Sequence, residues 1–297
     1  MKKSTKFFVF GGLICLLAGM LIMLVTGAAG GMNIVHELVA NYGSGNVRII
    51  ENMTEDFDAG DFDTFAGTKE ISVSENDISS IKIVINGGEV SVREGYSDCI
   101  EICTDSYGLD YAVENGTLMI KEEKNRLIAV GGQEIVVYLP KNVRFDDLEM
   151  AIGGGELEAD SLKARCLTLQ VGAGEAYIEN IDADSLDISV GAGNVTVERG
   201  RVSKDAAINV GLGEVYFCGY VEKNADLKCG MGELCFYGEE MDPGAYDYDM
   251  KCGAGNISLN GNDYSGMGLK RCIDNGSEKA IEIDCGMGEV DIDFSLF

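Results

Sequence analysis

Leu169-Gln-Val-Gly-Ala-Gly-Glu-Ala-Tyr-Ile178 and Ile188-Ser-Val-Gly-Ala-Gly-Asn-Val-Thr-Val197 lie 19 residues apart and carry one pattern. Apolar and polar residues alternate, a Gly-x-Gly triplet interrupts them, a Glu or Asn follows, and the alternation resumes. The pattern recurs at Met150-Ala-Ile-Gly-Gly-Gly-Glu-Leu-Glu-Ala159, Ile208-Asn-Val-Gly-Leu-Gly-Glu-Val-Tyr-Phe217 and Leu227-Lys-Cys-Gly-Met-Gly-Glu-Leu-Cys-Phe236. It returns at Met250-Lys-Cys-Gly-Ala-Gly-Asn-Ile-Ser-Leu259 and Ile283-Asp-Cys-Gly-Met-Gly-Glu-Val-Asp-Ile292, with a weaker copy at Ile83-Val-Ile-Asn-Gly-Gly-Glu-Val-Ser-Val92. The second motif glycines, Gly155, Gly174, Gly193, Gly213, Gly232, Gly255 and Gly288, are spaced 19, 19, 20, 19, 23 and 33 residues apart. A near-constant period is the mark of a repeat architecture. The two longer intervals read as loops inserted into a regular coil.

Within a unit the apolar residues keep period two: Leu167, Leu169 and Val171, then Ala176 and Ile178. That is a strand with one buried face. Each unit therefore reads as strand, Gly-x-Gly bend, strand, and a short polar bend such as Asn180–Ser185. Two strands and two bends in a score of residues fit one flattened turn of a β-solenoid, whose turns stack about 4.8 Å apart and share a core. A meander of antiparallel hairpins is the rival. The glycines are expected where the chain reverses with φ > 0. Cys229, Cys252 and Cys285 replace Val171, Val190 and Val210 and read as small core hydrophobes, whereas Cys218 and Cys235 should point outward.

The repeated Val-Gly-Ala-Gly-Glu and Val-Gly-Ala-Gly-Asn-Val units resemble the bacterial "putative adhesin" family, a β-solenoid-like domain of unknown function. So does the lead-in Ile135-Val-Val-Tyr-Leu-Pro140-Lys-Asn with Leu148-Glu-Met-Ala-Ile. The resemblance covers about residues 70–297 and implies a surface or envelope role, often on one membrane helix. It brings no catalytic residues.

Outward from the repeats, Phe7–Thr26 is a run of 20 residues without charge, long enough for a helix to cross a hydrocarbon core. Lys2, Lys3 and Lys6 precede it, and the first charge beyond is Glu37. The positive-inside rule puts the N-terminus in the cytoplasm and the rest outside. A cleaved signal peptide ending near Thr26-Gly27-Ala28 is the alternative. The expected order is a cytoplasmic tail at 1–6, a transmembrane helix at 7–27, a juxtamembrane linker at 28–70, an N-terminal β cap region at 71–145 and β-solenoid repeats at 146–297. The cap region shows strands at Ser80–Ile85, Glu89–Arg93 and Ile100–Thr104. Tyr111–Glu114 and Thr117–Lys121 flank Asn115-Gly116, a hairpin signal. The apolar C-terminal strand Val290–Phe297 has no evident cap and is expected to meet another chain or the Tyr264–Lys279 insertion.

The 297 residues carry a formal charge of −27. Setting aside the three N-terminal lysines leaves 20 basic against 50 acidic groups, a charge of −30. Such a surface repels nucleic acid and attracts cations or basic partners. Ten cysteines with no CxxC, and the single histidine His36, give no zinc spacing. The Gly-x-Gly triplets lead into strands, so they are not dinucleotide loops. The residues after each bend, Glu156, Glu175, Asn194, Glu214, Glu233, Asn256 and Glu289, should form a row at one corner. A calcium ladder along them would need six to eight oxygens for each ion, and a solvated corner is the expectation. Lys163, Arg165, Arg199, Arg201 and Lys204 fall in bends and read as charge-balancing residues rather than as a polysaccharide-cleaving face. No catalytic, cofactor-binding or metal-ligating residue is assigned, and no cofactor is expected. The expected function is a membrane-anchored extracytoplasmic structural or interaction (adhesin-like) module without catalytic activity. An extracytoplasmic sensor acting through a membrane partner, or a carbohydrate-active solenoid enzyme, are the alternatives. The expected partners are the membrane and an envelope or surface protein or glycan, with homo-oligomers open and no nucleic acid.

Overall fold

The computed structural model describes residues 63–73, 77–122 and 134–294. The expected cytoplasmic tail, transmembrane helix and most of the linker, with Cys15 and His36, lie outside these residues. Among the described residues no helix is long and apolar enough to cross a membrane.

Alternating apolar residues make strands throughout. In chain order these are β1 (Asp63–Ser72), β2 (Ser80–Ile85), β3 (Glu89–Gly95), β4 (Cys99–Glu114), β5 (Thr117–Glu122), β6 (Glu134–Pro140), β7 (Phe145–Ile152), β8 (Glu156–Val171), β9 (Glu175–Val190) and β10 (Asn194–Val202). They continue with β11 (Ala206–Val210), β12 (Glu214–Val221), β13 (Ala225–Cys229), β14 (Glu233–Gly238), β15 (Asp247–Cys252), β16 (Asn256–Leu259), β17 (Asn262–Asp263), β18 (Leu269–Ile273), β19 (Ala280–Cys285) and β20 (Glu289–Asp293). The repeats pair in parallel and in register: Glu156 with Glu175, Val171 with Val190, Asn194 with Glu214. Parallel pairing excludes the hairpin meander and makes the coils a solenoid-like stack.

The coils that carry β8, β9, β10 and β12 have three sides rather than two. In β8 the buried positions are Leu157 and Ala159, then Leu162 and Ala164, then Leu167, Leu169 and Val171. The alternation slips by one residue at Asp160–Ser161 and again at Arg165–Cys166. A slip that keeps apolar side chains facing one interior is a corner, because an uninterrupted strand would send them to the opposite face. The segment Asn180–Ser185, expected as a polar bend, is instead extended. Ile181 and Ala183 are buried and pair in register with Leu162 and Ala164. A coil such as β9 thus buries seven side chains, Ala176, Ile178, Ile181, Ala183, Leu186, Ile188 and Val190. At about 25 cal/mol per Å² of apolar surface, this interior exists only because coils lie on one another.

The glycine corners also differ from expectation. Among the seven second glycines only Gly155 has φ in the left-handed region, at 109°. Stacking explains the rest: a Cβ on Gly174 would run into the Gly155 carbonyl oxygen and one on Gly193 into that of Gly174, and the first glycines of the triplets are confined in the same way. A Cβ on Gly172 would stand 2.5 Å from the Gly153 carbonyl oxygen, and one on Gly191 2.7 Å from that of Gly172. The corner backbones hydrogen-bond from coil to coil, as Ala173 N does to Gly153 O at 2.7 Å, leaving no room for a side chain between them.

The coils do not stack in chain order. Gly193 to Gly232 proceed regularly, but β13 pairs with β19 and β14 with β20, and only then do β15 and β16 follow. The chain leaves Ala225–Gly238, passes a 3-10 turn at Pro243–Ala245 and builds the coil Asp247–Leu259 one place further out. It then returns to fill the vacated place with Ala280–Asp293. The long intervals therefore record a reversal of order, not loops in a regular coil. The Asp247 carboxylate holds the return, accepting from Asn275 N at 2.8 Å and Ser277 N at 3.1 Å, while Tyr246 donates to Val221 O at 2.6 Å. β20, expected as an uncapped end, is thus interior, and Phe294 packs edge-on to Phe236.

The outer ends carry antiparallel strands: β18 on β15 and β17 on β16 at one, and β4 on β5 and β6, with β1 on β4, at the other. Asn115 and Gly116 both have positive φ, 50° and 79°, as the expected two-residue hairpin turn requires. Cys229, Cys252 and Cys285 are buried, stacked on adjacent rungs with Cys285 in the middle. Cys235 points outward, but Cys218 is buried. Its coil has one residue fewer at this corner than β10, whose pairing shifts between Val197 and Gly200, so Cys218 is drawn inward.

Candidate functional site: an acid and tyrosine face

The side that follows each glycine corner turns alternate residues outward, and parallel register lines them up in rows. The first row reads, along the stack, Glu134, Glu89, Glu156, Glu175, Asn194, Glu214, Glu233, Glu289 and Asn256. The expected corner row is therefore real, but Glu289 stands between Glu233 and Asn256, and two glutamates precede it. Eight steps of about 4.8 Å make a line of about 38 Å. Neighbouring carboxylates at that spacing repel by roughly 0.9 kcal/mol in water. Asn256 relieves one end by donating to the Glu289 carboxylate at 3.4 Å. Among the described residues no three His, Cys, Asp or Glu side chains converge as a metal site would need.

Two residues further along lies a second row: Glu158, Tyr177, Thr196, Tyr216, Cys235, Asp291 and Ser258. Tyr177 is 43% exposed and Tyr216 38%. The Tyr216 ring lies 5.1 Å from that of Tyr237, one rung on and two residues further along the strand. The two rows border a shallow groove of about 550 Å³, lined by Glu156, Glu175, Glu214 and Glu233 on one side and by Tyr177 and Tyr216 on the other. Burial pushes the Tyr237 phenol up to about 12, and it raises that of Tyr216, with Cys218 and Glu198 adding to it. Both rings stay neutral. Burial, with a hydrogen bond to Glu233, pushes the Cys235 thiol up to about 12, so it is not a ready nucleophile. The tyrosines were missed in the sequence, although both stand two places after the corner glutamate, at Glu175-Ala-Tyr177 and Glu214-Val-Tyr216.

The basic residues gather elsewhere. Lys163 pairs with Glu94 at 3.0 Å, Arg165 with Asp146 at 2.8 Å, Arg199 with Glu179 at 2.5 Å, Arg201 with Glu240 at 3.7 Å and Lys204 with Asp184 at 3.2 Å. Arg144 reaches Asp182 and Asp184, and Arg93 holds Glu158 and Asp160. Lys163, Arg165, Arg199 and Arg201, expected in bends, lie in strands on or beside the second side, and with Lys204 they tie coils together as charge-balancing pairs. Among the described residues no lysine or arginine lines the groove.

Parallel three-sided coils with glycine corners place the chain among solenoid-like all-β proteins. More specifically, the profile of the Toastrack family, DUF4097, matches residues 78–282, and the chain belongs to that family. Solved structures similar to it include a putative adhesin from Parabacteroides distasonis ATCC 8503, at 16% identity over 79% of this chain and 98% of that one, TM-score 0.43. Another is a putative adhesin from Parabacteroides merdae ATCC 43184, at 16% identity over 79% and 97%, TM-score 0.43. A third is a putative lipid binding protein from Parabacteroides distasonis ATCC 8503, at 17% identity over 79% and 97%, TM-score 0.39. No curated protein matches the chain.

Proposed function

We propose that the protein is a membrane-anchored, extracytoplasmic interaction module of adhesin-like type, without catalytic activity, and that the acid and tyrosine face is its contact surface. One observation carries the reading: the groove-lining glutamates Glu156, Glu175, Glu214 and Glu233 run beside exposed tyrosines, while Lys163, Arg165, Arg199 and Lys204 are engaged in ion pairs on and beside the second side of the coils. Side chains kept for packing would be buried, and those kept for solubility would be of mixed sign. Aromatic residues on an exposed sheet face are common anchors of protein interfaces. Phe7–Thr26 supplies the anchor, and Lys2, Lys3 and Lys6 its orientation. The basic residues that a polysaccharide-cleaving face would use are held in ion pairs.

Location and contact are tested separately. A membrane-impermeant maleimide should label the exposed thiols Cys166 and Cys272 in spheroplasts without permeabilisation; labelling only after lysis contradicts the orientation. Immobilised full chain should retain envelope material that the Tyr177→Ala/Tyr216→Ala chain releases. Equal retention by both contradicts the assignment of this face.

A further inference from the structure

We propose that the groove beside the carboxylate row takes an extended lysine- or arginine-rich segment of a partner polypeptide; this rests on the interaction-module reading above. Charge complementarity selects the occupant. Glu156, Glu158, Glu175, Glu214 and Glu233 line the groove, and among the described residues Glu158 alone of these is paired with a base, Arg93. A cationic segment would relieve the repulsion along the row, whereas an anionic polymer or lipid surface would add to it. The rings favour the same occupant. Tyr177 and Tyr216 flank Thr196, so they stand about 9.6 Å apart, two rungs. An exposed tyrosine face attracts a guanidinium or ammonium group, and neighbouring carboxylates hold its edge.

The backbone sets the mode. β9, β10 and β12 have hydrogen-bonded neighbours on both sides, so a partner cannot join here as an added strand. Recognition must run through side chains. From Glu156 to Glu233 the groove spans four rungs, about 19 Å, the length of about six extended residues. A metal ion is a poorer fit, since the carboxylates stand in single file and, among the described residues, no three ligating groups converge. Thr196 between the rings keeps the groove open, where a third ring would close it.

The test uses the full chain in neutral detergent and fluorescein-labelled octa-arginine, read by anisotropy. The inference expects saturable binding that weakens as salt rises, and at least about tenfold weaker binding by Glu175→Gln/Glu214→Gln. It expects a change under about twofold in Glu222→Gln/Glu278→Gln, which has the same net charge with two exposed carboxylates removed elsewhere. Tyr177→Ala/Tyr216→Ala should weaken binding with little change in its salt dependence. No binding, or equal losses in the two glutamine variants, overturns the inference. So does self-association of the chain that the tyrosine variant abolishes, because the occupant is then a second copy. A chain that retains envelope material through this face yet ignores octa-arginine loses only this inference and keeps the module reading.

Discussion

Replacing Gly172 by alanine separates two explanations of the glycine corners by the sign of the effect. Gly172 does not lie in the left-handed region. If it served only as a loop residue, alanine would stiffen the unfolded chain and stabilise the protein by about 0.4–1 kcal/mol. The structure says otherwise, because the new Cβ would stand 2.5 Å from the Gly153 carbonyl oxygen. Carbon and oxygen settle no closer than about 3.3 Å, so the corner must open by about 0.8 Å. Three bonds cross the opening: Gly172 N to Ile152 O at 2.8 Å, Ala173 N to Gly153 O at 2.7 Å and Glu175 N to Gly155 O at 2.8 Å. Lengthened by that much they reach about 3.5 Å and cease to be hydrogen bonds. At about 1 kcal/mol net each, the loss is about 3 kcal/mol. Urea unfolding followed by far-UV circular dichroism should show a lower midpoint at unchanged slope. Ala173→Ser at the exposed tip of the same corner should stay within about 0.5 kcal/mol. A Gly172→Ala protein as stable as its parent, or more so, refutes the stacking argument.

Val190→Asp should unfold the protein, since Val190 is wholly buried between Val171 and Val210 and an unpaired carboxylate there costs several kcal/mol. Thr196→Asp, on the outward row, should move the urea midpoint little; equal effects would mean the faces are misassigned. Stability should also fall in alkali. Burial pushes the Cys285 thiol up to about 12 and the Cys229 thiol up to about 11, whereas an unfolded thiol titrates near about 8.5. Between those values the native state keeps a proton the unfolded chain has lost. The contribution is therefore whole below about pH 8.5 and is lost as pH rises towards the folded values, by at most about 1.4 kcal/mol per pH unit per thiol. Urea midpoints should drop from pH 8 to pH 10.5, less steeply in Cys285→Ala; a midpoint that rises, or an unaltered slope in the variant, contradicts the burial of these thiols.

Much of this was legible because it is written locally. Alternation names the buried face, and Leu169-Gln-Val and Ile188-Ser-Val place their residues where they are found. The Asn115-Gly116 turn is a two-residue code. The carboxylate row follows from any stacking that keeps period. The second side was not legible, because Ile181 and Ala183 are two apolar residues among acids and the slips beside them break the period that alternation relies on. The reason for the glycines was hidden too, since it lies in another coil's carbonyl oxygen rather than in their own φ. Coil order is the clearest limit. The units at Met250 and Ile283 are near-equivalent as sequence, and the contacts that accompany their order, the Asp247 anchor and the packing of Phe294 among them, join residues far apart in the chain. Tyr177 and Tyr216 become a surface only once Thr196 is known to lie between them.

Nuclear Overhauser contacts between backbone amides at the glycine corners, in deuterated full-length protein with exchangeable protons restored, reach the stacking arrangement most directly. Met287 N donates to Gly230 O at 2.7 Å and Ala254 N to Gly286 O at 2.8 Å, which puts Met287 on the rung between Met231 and Ala254. Cross-peaks should join Met287 to both, and none should join Met231 to Ala254, two rungs and about 9.6 Å away. A direct Met231–Ala254 contact with Met287 remote from both would mean that the coils stack in chain order, and the interior described here would be wrong.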